Sequence, residues 1–285
     1  MSFMGRRAQP RFDLRVAIGQ AGAHMRLPSM AQMRPILLPF LLACALGLIW
    51  EVGTRIANVS SMIIVPPSAI GNVISATFPI LMQQSVTTVR ESIYGFMLAS
   101  FVGLFMGSAL FLSRRIRQAI YPYVLVFQLI PKVALAPLFI VWFGVGPTSR
   151  LLLAAFMGFF PVVIATVTGL MSADSKAVRM ADSLTASPWQ IFCGVQAPYA
   201  VPHIFSGLKI GLSMAIIGVI IGEFITGQSG LGYVIMLGTS SANTALAFAS
   251  ITLLAILGLV LYGAVALAEW LTERRMGVSI TSDEF

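Results

Sequence analysis

The stretch ADSLTASPWQIFCGVQAPYAVP, residues Ala181 to Pro202, interrupts a chain that is otherwise strongly apolar. Its Ser187-Pro188 pair favours a helix start, because serine caps a helix and proline suits the first helical position. Proline also restricts the residue before it, so a preceding short helix over residues 176–186 must end before Pro188. The alternative is an ordinary solvated connector, but most helix connections have about two to eight residues. We therefore predict two short helices at an angle, with a function of their own.

The composition indicates that lipid is the solvent of the rest of the chain. Of the 285 residues, 58% are hydrophobic and 10% are charged, and the mean hydropathy is +0.90. A soluble domain has about 25% charged residues to cover its surface. Cys44 and Cys193 lack the spacing of a metal or redox site, and we interpret both as inert. The expected fold class is an all-α membrane protein.

We predict six crossings of the bilayer core, each of which requires about 20 helical residues. Three apolar runs are long enough and free of charge, the run 35–50 is short but uncharged, and two further runs contain ionisable residues. Lys132 lies in the third run, and Lys209 and Glu223 lie near the two ends of the fifth. The many apolar residues around Lys132 offset its insertion cost, and terminal charges reach the membrane interface. The six predicted transmembrane helices are residues 35–50, 92–113, 119–145, 151–173, 204–225 and 245–268.

Lysine and arginine are distributed asymmetrically around these runs. With a cytoplasmic N-terminus, the inner segments hold most of them, while the outer segments keep little beyond Arg55, Arg90 and Arg150. Positive charge inside therefore predicts that both termini, and the connection around Pro188, are cytoplasmic. The net charge of +8 has the same origin. We do not expect nucleic-acid binding, because the basic residues are dispersed and no aromatic-basic module accompanies them.

The predicted organisation has four parts. A basic cytoplasmic arm (1–34) is followed by the first helix and an outer segment (35–82), a permease-like core (83–270) and a cytoplasmic tail (271–285). Residues 65–89 are too polar to span a membrane and too apolar for a free loop. We expect them to form an amphipathic helix on the outer surface.

Four motifs together resemble the permease subunits of bacterial ABC importers, in the branch that carries nitrate, sulfonates, taurine and pyrimidine or aromatic compounds. The loop of that family reads Glu-Ala-Ala, three residues, Gly, nine residues, Ile, one residue, Leu-Pro. This chain has Arg179-Met180-Ala181, Thr185, Val195 and Ala197-Pro198 at those positions. The stretches LIPKVALAPLFIVWFGVG (129–146), FFPVVIATVTG (159–169) and GEFITGQSGLGYVI (222–235) also resemble the branch, so the resemblance extends over about residues 84–270.

The resemblance implies a type I ABC importer permease fold, with a cytoplasmic coupling loop between the fourth and fifth spans that docks on a separate ATPase subunit. Pro188 and Pro198 are expected to bracket a rigid lever, and Trp189 offers a large amphipathic anchor. Thr185 is not expected to take the left-handed backbone that glycine allows. Arg179 reverses the charge of the family's glutamate, which a change in the ATPase would compensate. The coupling residues are Arg179, Ala181, Asp182, Thr185, Ser187, Pro188, Trp189, Val195 and Pro198.

The resemblance also implies the partners: two copies of the ATPase, a periplasmic or lipid-anchored solute-binding protein, a second copy of this chain, and membrane lipid. The chain has no G-x-x-x-x-G-K-[ST] motif, so ATP and magnesium are expected on the ATPase and no cofactor on this chain. His24 and His203 stand alone, and we expect no enzymatic activity. The alternative function is a self-sufficient secondary transporter or channel, which needs no coupling loop. The expected location is the cell inner membrane.

Ionisable residues inside the membrane are candidates for the transport pathway. Lys132 lies between Pro131 and Pro137, where an irregular backbone can border a water-filled cavity, and it would attract an anionic substrate. Alternatively it snorkels or pairs with a carboxylate. Glu223 precedes TGQSGLGYV, whose glycines suit a bent, re-entrant gate; the alternative is a carboxylate that only closes a helix. Met214 of the fifth span is a further candidate.

Two spans contain glycines at G-x-x-x-G spacing, which permits close helix approach. Those in the fifth span fall within about a 60° arc at 100° per residue. We expect them to serve packing and not to contact substrate. They are Gly207, Gly211, Gly218 and Gly222, together with Gly103 and Gly107 in the second span.

Overall fold

The computed structural model describes residues 30–58 and 60–276, with the side chains of residues 30–36 left undescribed. Within these ranges the chain consists of helices and their connections. The α-helices are α1 (Met30–Ile56), α2 (Pro67–Leu112), α3 (Arg114–Leu129), α4 (Ala136–Phe143), α5 (Pro147–Met171), α6 (Ser175–Ser183), α7 (Pro188–Ile191), α8 (Ala197–Thr226), α9 (Leu231–Ser240) and α10 (Thr244–Met276). A 3-10 turn occupies Lys132–Leu135 and a π-helical turn occupies Phe192–Gln196. Most of the predicted basic arm and of the C-terminal tail lies outside the described residues.

Five helical segments are long and apolar enough to cross a membrane: Leu37–Ile56, Pro67–Leu112, Pro147–Met171, Pro188–Thr226 and Thr244–Met276. A sixth crossing is available if α3 and the Lys132–Phe143 segment, which meet at an 87° bend, form one broken span. The prediction of an all-α protein with six spans is confirmed with the broken pair counted once. By its contacts the chain divides after Gly53 into two units, and helices α2 to α10 all belong to the second.

The second span is longer than predicted. Residues 67–112 form one helix in which only Thr77 departs from helical geometry, with φ −112° and ψ 16°. Pro79 lies two residues further on, and the Thr77 hydroxyl donates to the carbonyl of Val73 at 2.7 Å, so the helix bends without ending. The expected separate surface helix over 65–89 is therefore the first part of α2. Leu81 in that part is fully buried, so the first part of α2 lies inside the bundle.

Helices α2, α5 and α8 meet at glycines. A Cβ atom on Gly103 or Gly107 of α2 would come within 2.8 Å or 2.6 Å of Val162 and Thr166 of α5. On α8, a Cβ on Gly211 would lie 3.0 Å from the Gly158 carbonyl oxygen, one on Gly218 would lie 2.7 Å from the Cα of Ala154, and one on Gly222 would lie 2.7 Å from Arg150. A Cβ on Gly207 would overlap Ala165. All six glycines singled out in the sequence lie at interhelical contacts, with α5 in the middle.

Candidate functional site

The polar stretch folds into two short helices followed by a π-helical turn, and we call residues 174–198 the coupling segment. Asp174 caps α6 by accepting a hydrogen bond from the Lys176 amide at 2.8 Å. Ser187 caps α7 with a reciprocal pair: its hydroxyl accepts from the Gln190 amide at 3.3 Å, and the Gln190 side chain accepts from the Ser187 amide at 2.7 Å. The local sequence therefore determines where both helices start. The second one starts where the Ser-Pro pair predicted.

Thr185 adopts the left-handed backbone, with φ 59°, contrary to the expectation from its β-branched side chain. The reason is the helix ending around it. The Thr185 amide donates to the carbonyl of Asp182 at 2.9 Å, and the next amide, of Ala186, donates to the carbonyl of Ala181 at 3.2 Å. These two bonds form a Schellman motif, which requires a left-handed residue at this position. The chain thus ends α6 with a left-handed threonine at the position where the family's loop motif has glycine.

Pro198 does not end the lever, contrary to the expectation that two prolines bracket it. Gln196 and Ala197 both have right-handed helical geometry, so α7, the π-helical turn and α8 form one continuous path over Pro188–Thr226. The Ala197 amide donates to the carbonyl of Phe192, five residues earlier. This wider turn accommodates a proline that an α-helical turn would not, because the ring would meet the carbonyl four residues before it. Val195 lies within this turn. Residues 188–198 of the coupling segment are therefore the start of the helix that forms the fifth span.

The coupling segment exposes a mixed surface. Trp189 is 68% exposed and stacks on Phe192 with ring centroids 5.5 Å apart, and Phe192 contacts Phe111 at the end of α2 at 6.3 Å. Met180 and Leu184 are also large, apolar and exposed. The charged side chains on this surface are Asp174, Lys176, Arg179 and Asp182, all of them exposed. Ala181, Val195 and Pro198 are half-buried beneath it. An exposed apolar patch with charged neighbours is typical of a protein–protein contact.

Lys132 lies at the 87° break between α3 and α4. Its Nζ donates to the Gln128 carbonyl at 3.0 Å and lies 5.2 Å from the centre of the Phe160 ring. Among the described residues no carboxylate pairs with it. Pro131 starts the 3-10 turn and Pro137 lies in the first turn of α4, so both flank the irregular backbone that the sequence predicted. Met214 packs against the cluster that joins α4 to α5, which includes Phe139 and Met157.

Glu223 is fully buried, and its carboxylate is hydrogen bonded inside the bundle. One of its oxygens accepts from the Thr88 hydroxyl at 2.7 Å, and the other accepts from the Gly232 amide at 2.7 Å. The turn between α8 and α9 folds over it, with Gly227 at φ 58° and Gly230 at φ 96°. A Cβ on Gly230 would overlap the Glu223 carboxylate. The glycines after Glu223 therefore permit a close approach of the turn to this carboxylate.

A buried ion pair next to Glu223 was missed from the sequence. Arg150 and Glu91 are joined at 2.7 Å, with side chains only 2% and 3% exposed. Both terminal nitrogens of Arg150 also donate to the Ser229 hydroxyl at 3.2 Å, which ties the turn to α5. Counting charges for orientation assigned Arg150 to a loop. The signal that identifies the pair is the presence of opposite charges at the same end of two neighbouring spans. We call Gln84, Thr88, Glu91, Arg150, Glu223 and Ser229 the polar cluster.

The coupling segment and the polar cluster lie at opposite ends of the same two helices. Helix α5 begins three residues before Arg150 and ends just before Asp174. Helix α8 begins in the coupling segment and reaches Glu223 one turn before its end. At 1.5 Å per residue, roughly 40 Å of helix separates them. No group of His, Cys, Asp or Glu in the described ranges is arranged to hold a metal ion.

Comparison with known proteins identifies transport proteins of one kind. The riboflavin transport system permease protein of Chloroflexus aurantiacus is 34% identical over 227 residues, which are 79% of this chain and 85% of that protein. A putative aliphatic sulfonates transport permease protein of Bacillus subtilis is 32% identical over 230 residues, covering 79% and 81%. The formylaminopyrimidine transport permease protein of Halalkalibacterium halodurans is 27% identical over 227 residues, covering 80% and 91%.

A solved structure of the MetNI methionine ABC transporter, in an inward-facing conformation, aligns with a TM-score of 0.59 at 18% identity. The alignment covers 70% of this chain and 98% of the matched chain, and it shows the fold alone. The type I permease fold that the resemblance implied is confirmed. Residues 99–276 match the family described as the binding-protein-dependent transport system inner membrane component. The chain belongs to this family and is an ABC importer permease subunit of the inner membrane.

Proposed function

We propose that this permease subunit forms a homodimer that carries a small anionic or heteroaromatic solute, of the sulfonate, nitrate or pyrimidine-precursor type, into the cytoplasm. The relatives named above are described as transporting riboflavin, aliphatic sulfonates and formylaminopyrimidine. These names support a solute class and no single compound. Lys132, a cation at a broken span without a carboxylate partner among the described residues, supports an anionic or electron-rich solute. Both termini are proposed to be cytoplasmic.

The proposal that ATP drives this transport rests on one observation, the continuous helical path from the coupling segment to the polar cluster. Two ATPase subunits, which bind ATP and magnesium, would close beneath the dimer and displace the coupling segments. Because α7 and α8 form one path, a displacement at Trp189 reaches Glu223 without an intervening loop. The turn that is hydrogen bonded to Glu223 and Arg150 would move with it. A periplasmic or lipid-anchored binding protein would deliver the solute at that end.

Replacing Trp189 tests the docking of the ATPase. We expect Trp189→Ala to reduce co-purification with the partner ATPase, and ATP-dependent uptake in proteoliposomes, by about ten-fold or more. A Trp anchor that becomes buried at an interface is worth about 2 kcal/mol or more. Trp270→Ala is the matched control, since Trp270 is also exposed but lies on α10 and contacts Arg274. Uptake that needs no ATPase, or that survives the Trp189 change undiminished, would favour a self-sufficient transporter instead.

A further inference from the structure

A cleft of about 690 Å³ lies between the start of α3 and the end of α5. Each helix lines the cleft with four residues at positions i, i+1, i+4 and i+5. Residues with this spacing lie on one face of a helix over two turns. The two helices touch through Val124, Val163 and Val167 in one hydrophobic cluster. The cleft occupies the region beyond this contact, at the end of the bundle that carries the coupling segment. Its volume is in the range typical of small-molecule sites.

Three polar side chains of the cleft, those of Arg117, Gln118 and Thr168, have no partners in the described part of the chain, whereas the Ser172 hydroxyl donates to the Gly169 carbonyl at 2.7 Å. Arg117 forms no ion pair there, and neither the Gln118 amide nor the Thr168 hydroxyl forms a side-chain hydrogen bond. No acidic side chain lines the cleft. The ring of Tyr121 packs against the hydrophobic cluster and forms part of an apolar wall. The cleft therefore presents one fixed apolar wall, a guanidinium and several hydrogen-bond donors, which are the groups that bind a phosphate ester.

The surroundings favour an anionic lipid over a soluble anion. Arg114, Arg115 and Arg117 fall within four residues at the start of α3, where the chain re-enters the apolar bundle after Ser113. Clusters of arginine at a membrane surface attract anionic headgroups, and basic pockets between transmembrane helices bind them specifically. A free anion gains no binding energy from the apolar wall of Tyr121 and Val167. The glycerol and upper acyl carbons of a lipid gain it, because they bury this wall.

We propose that this cleft binds an anionic phospholipid, with the headgroup phosphate on Arg117, Gln118 and Thr168 and the glycerol region against Tyr121. The α5 wall of the cleft ends at Ser172, two residues before the Asp174 that caps α6. A bound headgroup thus contacts the residue at which α5 passes into the coupling segment. The lipid site is independent of the identity of the transported solute.

Native mass spectrometry of the full chain, released from phosphatidylcholine nanodiscs with increasing phosphatidylglycerol, tests the site. We expect wild type to retain phosphatidylglycerol over phosphatidylcholine, and Arg117→Gln to weaken this retention by about five-fold, the contribution of one arginine near an anionic surface. Arg115→Gln is the matched control, because it removes the same charge from the same helix but does not line the cleft. If both variants lost phosphatidylglycerol retention to the same extent, the retention would reflect the general surface charge and not the cleft, and the proposal would be wrong.

Two further arms separate the other occupants. If inorganic phosphate binds in pure phosphatidylcholine discs and loses affinity with Arg117→Gln, the site serves a soluble anion and the lipid proposal is wrong. Thr168→Trp fills the cleft without removing a charge, and we expect it to displace phosphatidylglycerol while the oligomeric state in the same spectra stays unchanged. Dissociation of the oligomer by Thr168→Trp would instead identify the cleft as an interface between copies of this chain. The melting temperature of each variant shows whether it is folded.

Discussion

Thr185 shows how a single residue can adopt the left-handed backbone that suits glycine despite a β-branched side chain. Left-handed geometry costs a β-branched residue about 1–3 kcal/mol, and the Schellman bonds to Asp182 and Ala181 hold it there. We expect Thr185→Gly to raise the free energy of unfolding by about 1 kcal/mol, since relief of strain exceeds the added freedom of the unfolded chain. Thermal melting of the purified protein measures this. As a control, Ala186→Gly at the neighbouring position should lower the melting temperature. If Thr185→Gly also melted below wild type, the backbone at this position would not be strained.

Arg150 and Glu91 form a buried ion pair in which each charge compensates the other. Burying charge is costly, and removing one member leaves the other uncompensated, at about 3–5 kcal/mol. We expect Arg150→Met or Glu91→Leu alone to be strongly destabilising and the double variant to recover part of the loss. Melting of the three variants in one detergent measures the coupling. Additive losses in the double variant would mean that the contacts of Arg150 with Ser229 matter more than the pair.

Lys132 lies at the broken span, between two prolines, as the sequence predicted, and its proposed role in transport can be tested directly. Its position at a break between two prolines was predictable, because proline removes backbone hydrogen bonds and a charge needs a polar path. We expect Lys132→Gln to lower ATP-dependent uptake of an anionic solute while co-purification with the ATPase is retained. Uptake kinetics equal to wild type in Lys132→Gln would remove this residue from the pathway. Lys209→Gln is a control of equal charge, since Lys209 pairs with Glu269.

At the scale of the elements, glycines determine how close the helices lie. Gly218 of α8 and Gly258 of α10 have the same residue type in the same secondary structure, but a Cβ on Gly258 meets nothing within 4 Å. We expect Gly218→Ala to destabilise the fold by about 1–3 kcal/mol through overpacking against Ala154, and Gly258→Ala to stabilise its helix by about 0.5–1 kcal/mol. Opposite signs in the two melting shifts are the expected result. A loss of stability in both would mean that α10 is covered at Gly258.

The elements were predictable where the signal is local. Apolar length gave the spans, the Ser187-Pro188 pair gave the start of α7, and the G-x-x-x-G spacing gave the positions that lie at contacts. Continuity was not predictable. Pro79 and Pro198 both lie inside longer helical paths, because a kink in α2 and a π-helical turn before α8 absorb the missing hydrogen bonds. Whether a proline ends a helix or bends it depends on tertiary packing that the sequence pattern does not contain.

At the scale of the whole molecule, the fold class and the coupling segment followed from the sequence, while the polar cluster did not. Glu223 was singled out because it is ionisable inside a span, but its side-chain partner is distant in the chain. Thr88 is 135 residues away, and Arg150 reaches Glu91 across 59. Charge counting treats such residues as orientation signals and therefore hides their pairing. The same long-range contacts draw α2, α5, α8 and the turn before α9 together at one end of the bundle.

The continuous helix from Pro188 to Thr226 has a mechanical consequence. Its 39 residues give a rod about 58 Å long, and near its middle the backbone of Gly211 touches that of Gly158. The same helix also lies against α5 at Gly207, Gly218 and Gly222, so we expect the two helices to tilt as one rigid pair when the coupling segment is displaced. The two ends of that pair would then move in opposite directions, so that an opening at one end is accompanied by closure at the other.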